Sequence, residues 1–200
     1  MLVLTTITPA SGTATNARFN KNNTSFAVST STSMVYIYNS TTPYTLITSF
    51  NAAIGTGSTT IDYSFDGTCL LICGGNTNTA KVFNLTTTVT LLTTVSFNNA
   101  QTCKFAANSN FAIASITGST FRFYSLTGGL VWNENYNNCL DIDFDGTSST
   151  VVMSCNNGAN RRAFAMDTAT QFPTNPYTGA ALMRTAQISP DGTYVAYSGD

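Results

Sequence analysis

The residues Ile188–Thr193 read ISPDGT, and close copies stand at Tyr63–Thr68 (YSFDGT) and Ile142–Thr147 (IDFDGT). Two looser copies, FNKNNT from Phe19 and FAANSN from Phe105, fill the gaps. The anchors Phe19, Tyr63, Phe105, Ile142 and Ile188 are then 44, 42, 37 and 46 residues apart. Such a period constrains the fold more than any local propensity, because each unit must bury its apolar face against the next.

Each copy is followed by the same material. A small-residue apolar run comes first (SFAVST, CLLICGG, NFAIAS, TVVMSC, YVAYSGD), then an aromatic run closed by a polar residue (MVYIYNS, AKVFNL, TFRFYSL, RRAFAMD). A further run ends each unit: YTLITSF, VTLLTTV, GLVWNEN and GAALMRT. Alternation within the runs, with Gly, Asn and Asp between them, is the pattern of half-buried strands. Composition agrees: 42% of the chain is hydrophobic, only 8% is charged, and Thr, Ser and Asn exceed a third. Thr, Val, Ile, Phe and Tyr suit a pleated surface. The expected fold is all-β, with strands near residues 2–7, 14–19, 25–30, 34–38 and 45–50, matching offsets later, and almost no helix. Four short antiparallel strands at this period describe a β-propeller. Residues 1–200 are read as a single domain of about four full blades and a partial fifth. LVLTTI at the start reads as the fourth strand of a preceding blade, and YVAYSGD as a second strand whose third is not in the chain; that strand either follows in a longer protein or is added by a neighbouring copy.

At SPDGT, followed by a small-residue strand and then an aromatic one such as VYIYN or FRFYSL, the chain resembles the WD-repeat-like propellers over essentially its whole length. It departs from the strict family. There is no His, so no Gly-His pair, and no strand ends in Trp-Asp. The resemblance implies a propeller without the buried His/Asp/Ser/Trp tetrad.

Little here supports catalysis. Without His, the usual triads and the commonest general base are excluded. Asp62, Asp141 and Asp143 on first strands are the candidates for paired carboxylates at a central channel. Asp66, Asp145 and Asp191 read as one turn position, where Asp bonds its own backbone. DIDFDG makes Asp141, Asp143 and Asp145 a candidate calcium set, because alternate carboxylates can converge on a hard cation. Val152 and Ser149 stand where such loops require further carboxylates, so no metal and no cofactor are expected.

Five cysteines lack Cys-x-x-Cys spacing. Position 139 falls opposite 155 across the fourth unit's hairpin, so Cys139–Cys155 is the expected disulfide; Cys73 with Cys103 is a second candidate. Glycosylation sequons occur at Asn22, Asn23, Asn39 and Asn84, the last two just after an aromatic strand. Trp132 is expected to pack on the outer strand.

A net charge of -1 provides no field for nucleic acid, and no apolar run is long enough to span a bilayer. MLVLTTITPASG lacks a basic start and a long apolar core, so no signal peptide is visible. The leading expectation is a non-enzymatic structural or protein-interaction module in an extracellular or self-assembling structure. Its partners would be other protein subunits, including copies of itself added as strands near Tyr194–Ser198. An intracellular WD-like scaffold in the cytoplasm is the alternative, and a carbohydrate-binding or glycan-processing propeller the second.

Overall fold

The computed structural model describes residues 6–74, 76–115, 121–134, 139–147, 150–157, 160–167, 173–179 and 183–199. Among them there is no helix. The first sheet comprises β1 (Ala14–Phe19), β2 (Ser25–Thr30), β3 (Met34–Asn39) and β4 (Leu46–Asn51). The second comprises β5 (Thr59–Tyr63), β6 (Cys69–Gly74), β7 (Thr79–Asn84) and β8 (Thr90–Ser96). The third holds β9 (Ala100–Phe105), β10 (Phe111–Ser115), β11 (Phe121–Tyr124) and β12 (Leu130–Glu134), and the fourth β13 (Cys139–Phe144), β14 (Thr150–Asn157), β15 (Asn160–Asp167) and β16 (Pro173–Gly179). A two-stranded sheet, β17 (Met183–Ile188) with β18 (Val195–Gly199), follows. Every pairing is antiparallel and sequential. The first sheet falls within a residue of the expected spans. The strand expected at 2–7 lies largely outside the described residues; Ile7 packs on Val28, Tyr36 and Tyr38.

First strands contact first strands in order: β1 on β5, β5 on β9, β9 on β13, β13 on β17. The apolar cores are therefore layers between sheets rather than one central mass. Ala27, Ile37, Ile61, Tyr63 and Leu70 fill the first layer, and Leu71, Val82, Phe105 and Ile113 the second. Phe123, Trp132, Ile142 and Met153 fill the third, where Trp132 meets Phe121 edge-on at 5.0 Å. Antiparallel sheets packed face to face through their inner strands are the blades of a propeller.

The hairpin between first and second strands recurs in register. Phe19 pairs with Phe26, Tyr63 with Leu70, Phe144 with Val151, and Ile188 with Val195, each across six residues. The third blade is one residue shorter, pairing Phe105 with Phe111. The fourth anchor is thus Phe144, two residues beyond Ile142, and the spacings become 44, 42, 39 and 44. Asn23, Gly67, Ser109 and Gly192 hold positive φ at the bend, each donating its N–H three residues back. Glycine does so without the Cβ clash that other residues meet.

The outer strands share an irregularity. β4, β8 and β12 each carry a bulge beside Tyr38, Phe83 and Tyr124, and the extra residues are Ile47, Leu92 and Val131. A bulge twists an edge and blunts it against pairing. Here it also leaves the adjacent pairs Leu46–Ile47, Leu91–Leu92 and Leu130–Val131 exposed.

Candidate functional site

The residue before each anchor lies on an inner strand: Arg18, Asp62, Lys104, Asp143 and Gln187. Each carboxylate in this series binds the next blade. Asp62 Oδ2 accepts the N–H of Phe105 at 2.9 Å, and Asp143 Oδ2 accepts that of Ile188 at 3.2 Å. Two residues earlier, Asp141 Oδ2 accepts the N–H of Ala186 at 3.2 Å. Lys104 Nζ sits 3.4 Å from Asp143 Oδ1. Burial pushes the Asp62 carboxyl up, against the opposing pull of Lys104, the Phe105 N–H, Lys21 and Arg18. Burial also raises Asp141, against the N–H groups of Ala186 and Ile142.

The three channel carboxylates, Asp62, Asp141 and Asp143, are thereby joined to main-chain N–H groups of neighbouring blades, and of the calcium set Asp141 and Asp143 are so joined while Asp145 is not. Among the described residues no three acidic, Cys or His side chains converge as a metal site. Asp145 does not share the turn position of Asp66 and Asp191. Its N–H bonds Thr150, as Ser64 bonds Cys69 and Ser189 bonds Tyr194, so it stands at the serine position. Asp66 and Asp191 instead accept the N–H groups of Thr68 and Thr193 at 3.0 and 3.1 Å. The Gly146 beside Asp145 serves a different purpose from Gly67: its N–H reaches Pro190 O at 2.7 Å, and a Cβ there would lie 2.7 Å from the same oxygen. The Asp-Gly-Thr at 145–147, two residues out of phase with those at 66–68 and 191–193, produced the sequence match.

A hollow of about 320 Å³ opens where the first hairpins of the blades converge. Lys21, Lys104, Asp143 and Asp145 line it with Phe65, Phe144 and Pro190.

Two interblade cations were not evident from the sequence. Lys81 Nζ donates to Ala52 O and Ala53 O at 3.0 and 2.9 Å. Arg122 reaches Ser96 O at 3.4 Å and lies 5.5 Å from the Phe97 ring centroid. Both stand three residues before a polar residue, Asn84 at the end of the third strand or Ser125 just after it, so superposing the repeats would have paired them.

The structure joins Cys139 to Cys155 within the fourth blade (Cα–Cα 4.0 Å) and Cys73 to Cys103 between the second and third (6.2 Å). Cys69 is a buried free thiol whose pKa is raised by burial. Asn39 and Asn84 cap the turn after the third strand: their Oδ1 atoms accept the N–H of Thr41 and Thr86 at 3.0 and 2.8 Å, and both hydroxyls as well. The same geometry recurs because the blade turn uses it. Asn22 and Asn23 lie in the first hairpin, Asn23 at its positive-φ bend.

Taken together, sequential inner strands, interblade cores and four-stranded antiparallel sheets define a propeller fold of WD-repeat-like kind. Among solved structures, the chain is similar to the β-propeller domain of Cps50 (Swd1) from Myceliophteria thermophila, at 13% sequence identity and a TM-score of 0.79. The match covers 97% of this chain but 64% of that one, so this chain spans less than two thirds of the solved domain. No family model and no curated protein sequence matches. Among the described residues no helix is long and apolar enough to cross a membrane.

Proposed function

We propose that this chain is a non-enzymatic propeller, one domain across residues 1–200 with four full blades and part of a fifth, that acts by binding other proteins. One observation carries the reading. The exposed large apolar side chains gather at one end of the blades, where the first-to-second and third-to-fourth strand turns lie: Phe19, Phe65, Tyr194 and the three bulge pairs. Among the described residues only Val195 and Tyr197, on β18 itself, continue inward from that end. An apolar surface kept at one end of a weakly charged protein is the mark of an interaction site.

The finer reading is an extracellular, self-assembling protein. Two disulfides suit an oxidising compartment, and the sequons at Asn22, Asn23, Asn39 and Asn84 are glycosylation sites there. The assembling element is β18, with strand addition near Tyr194–Ser198. The test is secretion from a eukaryotic host, followed by intact mass before and after glycan removal and by sedimentation velocity. Glycan mass, oxidised cysteines and concentration-dependent association are the expected results. A bare, reduced monomer returns the protein to the cytoplasmic scaffold reading, and glycoside turnover lost in Asp143→Asn overturns the non-enzymatic one.

A further inference from the structure

Three successive blades repeat one exposed feature, and the residue beside it differs between them. Leu46–Ile47, Leu91–Leu92 and Leu130–Val131 are all between 45% and 59% exposed, near the start of the fourth strand. Tyr38, Phe83 and Tyr124 pair with the first member of each dyad. The residue after each of them therefore stands at the turn beside the dyad: Asn39, Asn84 and Ser125. Asn39 donates its N–H to Thr45 O, Ser125 donates to Gly129 O, and Asn84 pairs with Thr90. Asn39 and Asn84 open Asn-Ser-Thr and Asn-Leu-Thr sequons, whereas Ser125-Leu-Thr is not one.

The turn does not itself require Asn. In the third blade the Ser125 hydroxyl accepts the Gly129 N–H at 3.0 Å and meets the Thr127 hydroxyl at 3.1 Å. In the first two blades the Asn Oδ1 atom accepts the N–H and hydroxyl of Thr41 or Thr86. Neither Nδ2 atom has a hydrogen-bond partner among the described residues, and both side chains are partly exposed. Nδ2 is the atom that carries an N-linked sugar, and the linked amide keeps its carbonyl, so attachment leaves the turn intact. All four sequons of the sequence fall at first-to-second or third-to-fourth strand turns, Asn22 and Asn23 in the first hairpin. Asn residues by the turns of the opposite end, Asn51, Asn76, Asn78 and Asn99, form none. The sequons thus serve the end that displays large apolar side chains. Exposed aliphatic pairs favour adhesion, and an attached oligosaccharide is bulky and solubilising. The C–H face of a sugar ring also removes aliphatic surface from water when it lies against it.

We propose that Asn39 and Asn84 carry N-linked glycans whose first sugars cover Leu46–Ile47 and Leu91–Leu92, and that Leu130–Val131 stays bare. The proposal rests on the extracellular reading above and sets which part of the apolar end remains open.

The protein of residues 1–200 is secreted from a eukaryotic host, and glycopeptide mass spectrometry reads the occupancy of each sequon. Hydroxyl-radical labelling of the folded protein then reports the solvent exposure of each dyad. Thr41→Ala and Thr86→Ala each remove one sequon and keep the Asn Oδ1 bond to the main-chain N–H. Ser125→Asn completes a sequon with Thr127. Enzymatic release of the sugars from the folded native protein gives a second bare reference, independent of how the variants fold. Sugar is expected on Asn39 and Asn84, with labelling of the first two dyads reduced relative to the released protein and labelling of Leu130–Val131 equal in both. Thr41→Ala should restore labelling at Leu46–Ile47 alone, and Thr86→Ala at Leu91–Leu92 alone. Ser125→Asn should add one glycan and extend the protection to Leu130–Val131. The proposal is overturned by a bare Asn39 or Asn84, or by occupied sites whose dyads label as in the released protein. Protection of Leu130–Val131 in the native protein overturns it too, as does a glycan in Ser125→Asn that leaves this dyad labelled. A bare protein secreted with both disulfides formed sinks this proposal alone; a bare protein with reduced cysteines sinks the extracellular reading as well.

Discussion

Asp62 shows how one side chain is committed to the frame. Its folded-state pKa is raised, so the folded protein favours the protonated form, and this residue's contribution weakens as pH rises from the ordinary carboxylate value through the raised one. Asp66 runs the other way. Burial alone would raise it, but the Ser64 hydroxyl and the Thr68 N–H and hydroxyl hold it low, so its contribution is present above the ordinary value and lost as pH falls through the depressed one. Asp62→Asn, which keeps an acceptor for the Phe105 N–H without burying a charge, is expected to melt near or above the native temperature at pH 7. Asp62→Ala strands that N–H and should cost about 1–3 kcal/mol. Asp66→Asn should lose stability at pH 7 and converge on the native protein in acid. Melting curves from pH 3 to 8 separate these outcomes, and equal losses in Asp62→Asn and Asp62→Ala at pH 7 would show that the carboxylate charge, not the hydrogen bond, holds the blades. Asp62 was legible as an inner-strand carboxylate, but its partner was not, because Phe105 N lies 43 residues away and no side-chain pattern marks a main-chain donor.

At the scale of elements, the hairpins were read well where turn chemistry and strand alternation agreed, and displaced by two residues where they did not. In the fourth blade the Asp-Gly-Thr at 145–147 starts the turn rather than completing it. The register of Phe144 with Val151 follows instead from which residues reach the interblade layer. Gly146→Ala tests that assignment: a Cβ 2.7 Å from Pro190 O must push the neighbouring hairpin away, a loss of about 1–3 kcal/mol. A turn glycine of the Gly67 kind would be strained by its φ alone, so a Gly146→Ala protein as stable as the native one sinks the close-approach account. The disulfides divide in the same way. Cys139 opposite Cys155 follows from hairpin register, whereas Cys73 with Cys103 depends on how two sheets pack. In the chain-entropy model, closing loops with sequence separations of 16 and 30 contributes about 3–4 kcal/mol each. Alkylation in denaturant without reductant should label one thiol, Cys69, and after reduction all five. Labelling of more than one before reduction would mean that a bridge is absent in solution.

At the scale of the whole molecule, the second strand is the most buried element of the second and third blades, and β18 departs from that pattern. β6 and β10 are buried along their full length, since each is flanked by strands on both sides and by blades on both faces. β18 holds the same position in its blade, yet every residue is exposed, with Tyr194 just before it 74% exposed. VAYSG carries no charge, no proline and, unlike β4, β8 and β12, no extra residue of its own, and among the described residues no strand pairs with its other side. The devices that protect an edge from pairing are therefore absent where the edge is most apolar. A further strand, from the same protein or from a neighbouring copy, would give β18 both the main-chain partners and the apolar cover that its counterparts have. On the self-assembly reading proposed above, the protein of residues 1–200 should show a sedimentation coefficient that rises with concentration. Tyr197→Lys, which sets a cation on the edge, should hold it at the monomer value, and Ile47→Asp, on a bulged rim far from β18, should leave the association intact. Equal suppression by both variants would point to general adhesion through the apolar end, and a native protein that stays monomeric at every concentration would remove β18 as an assembly element.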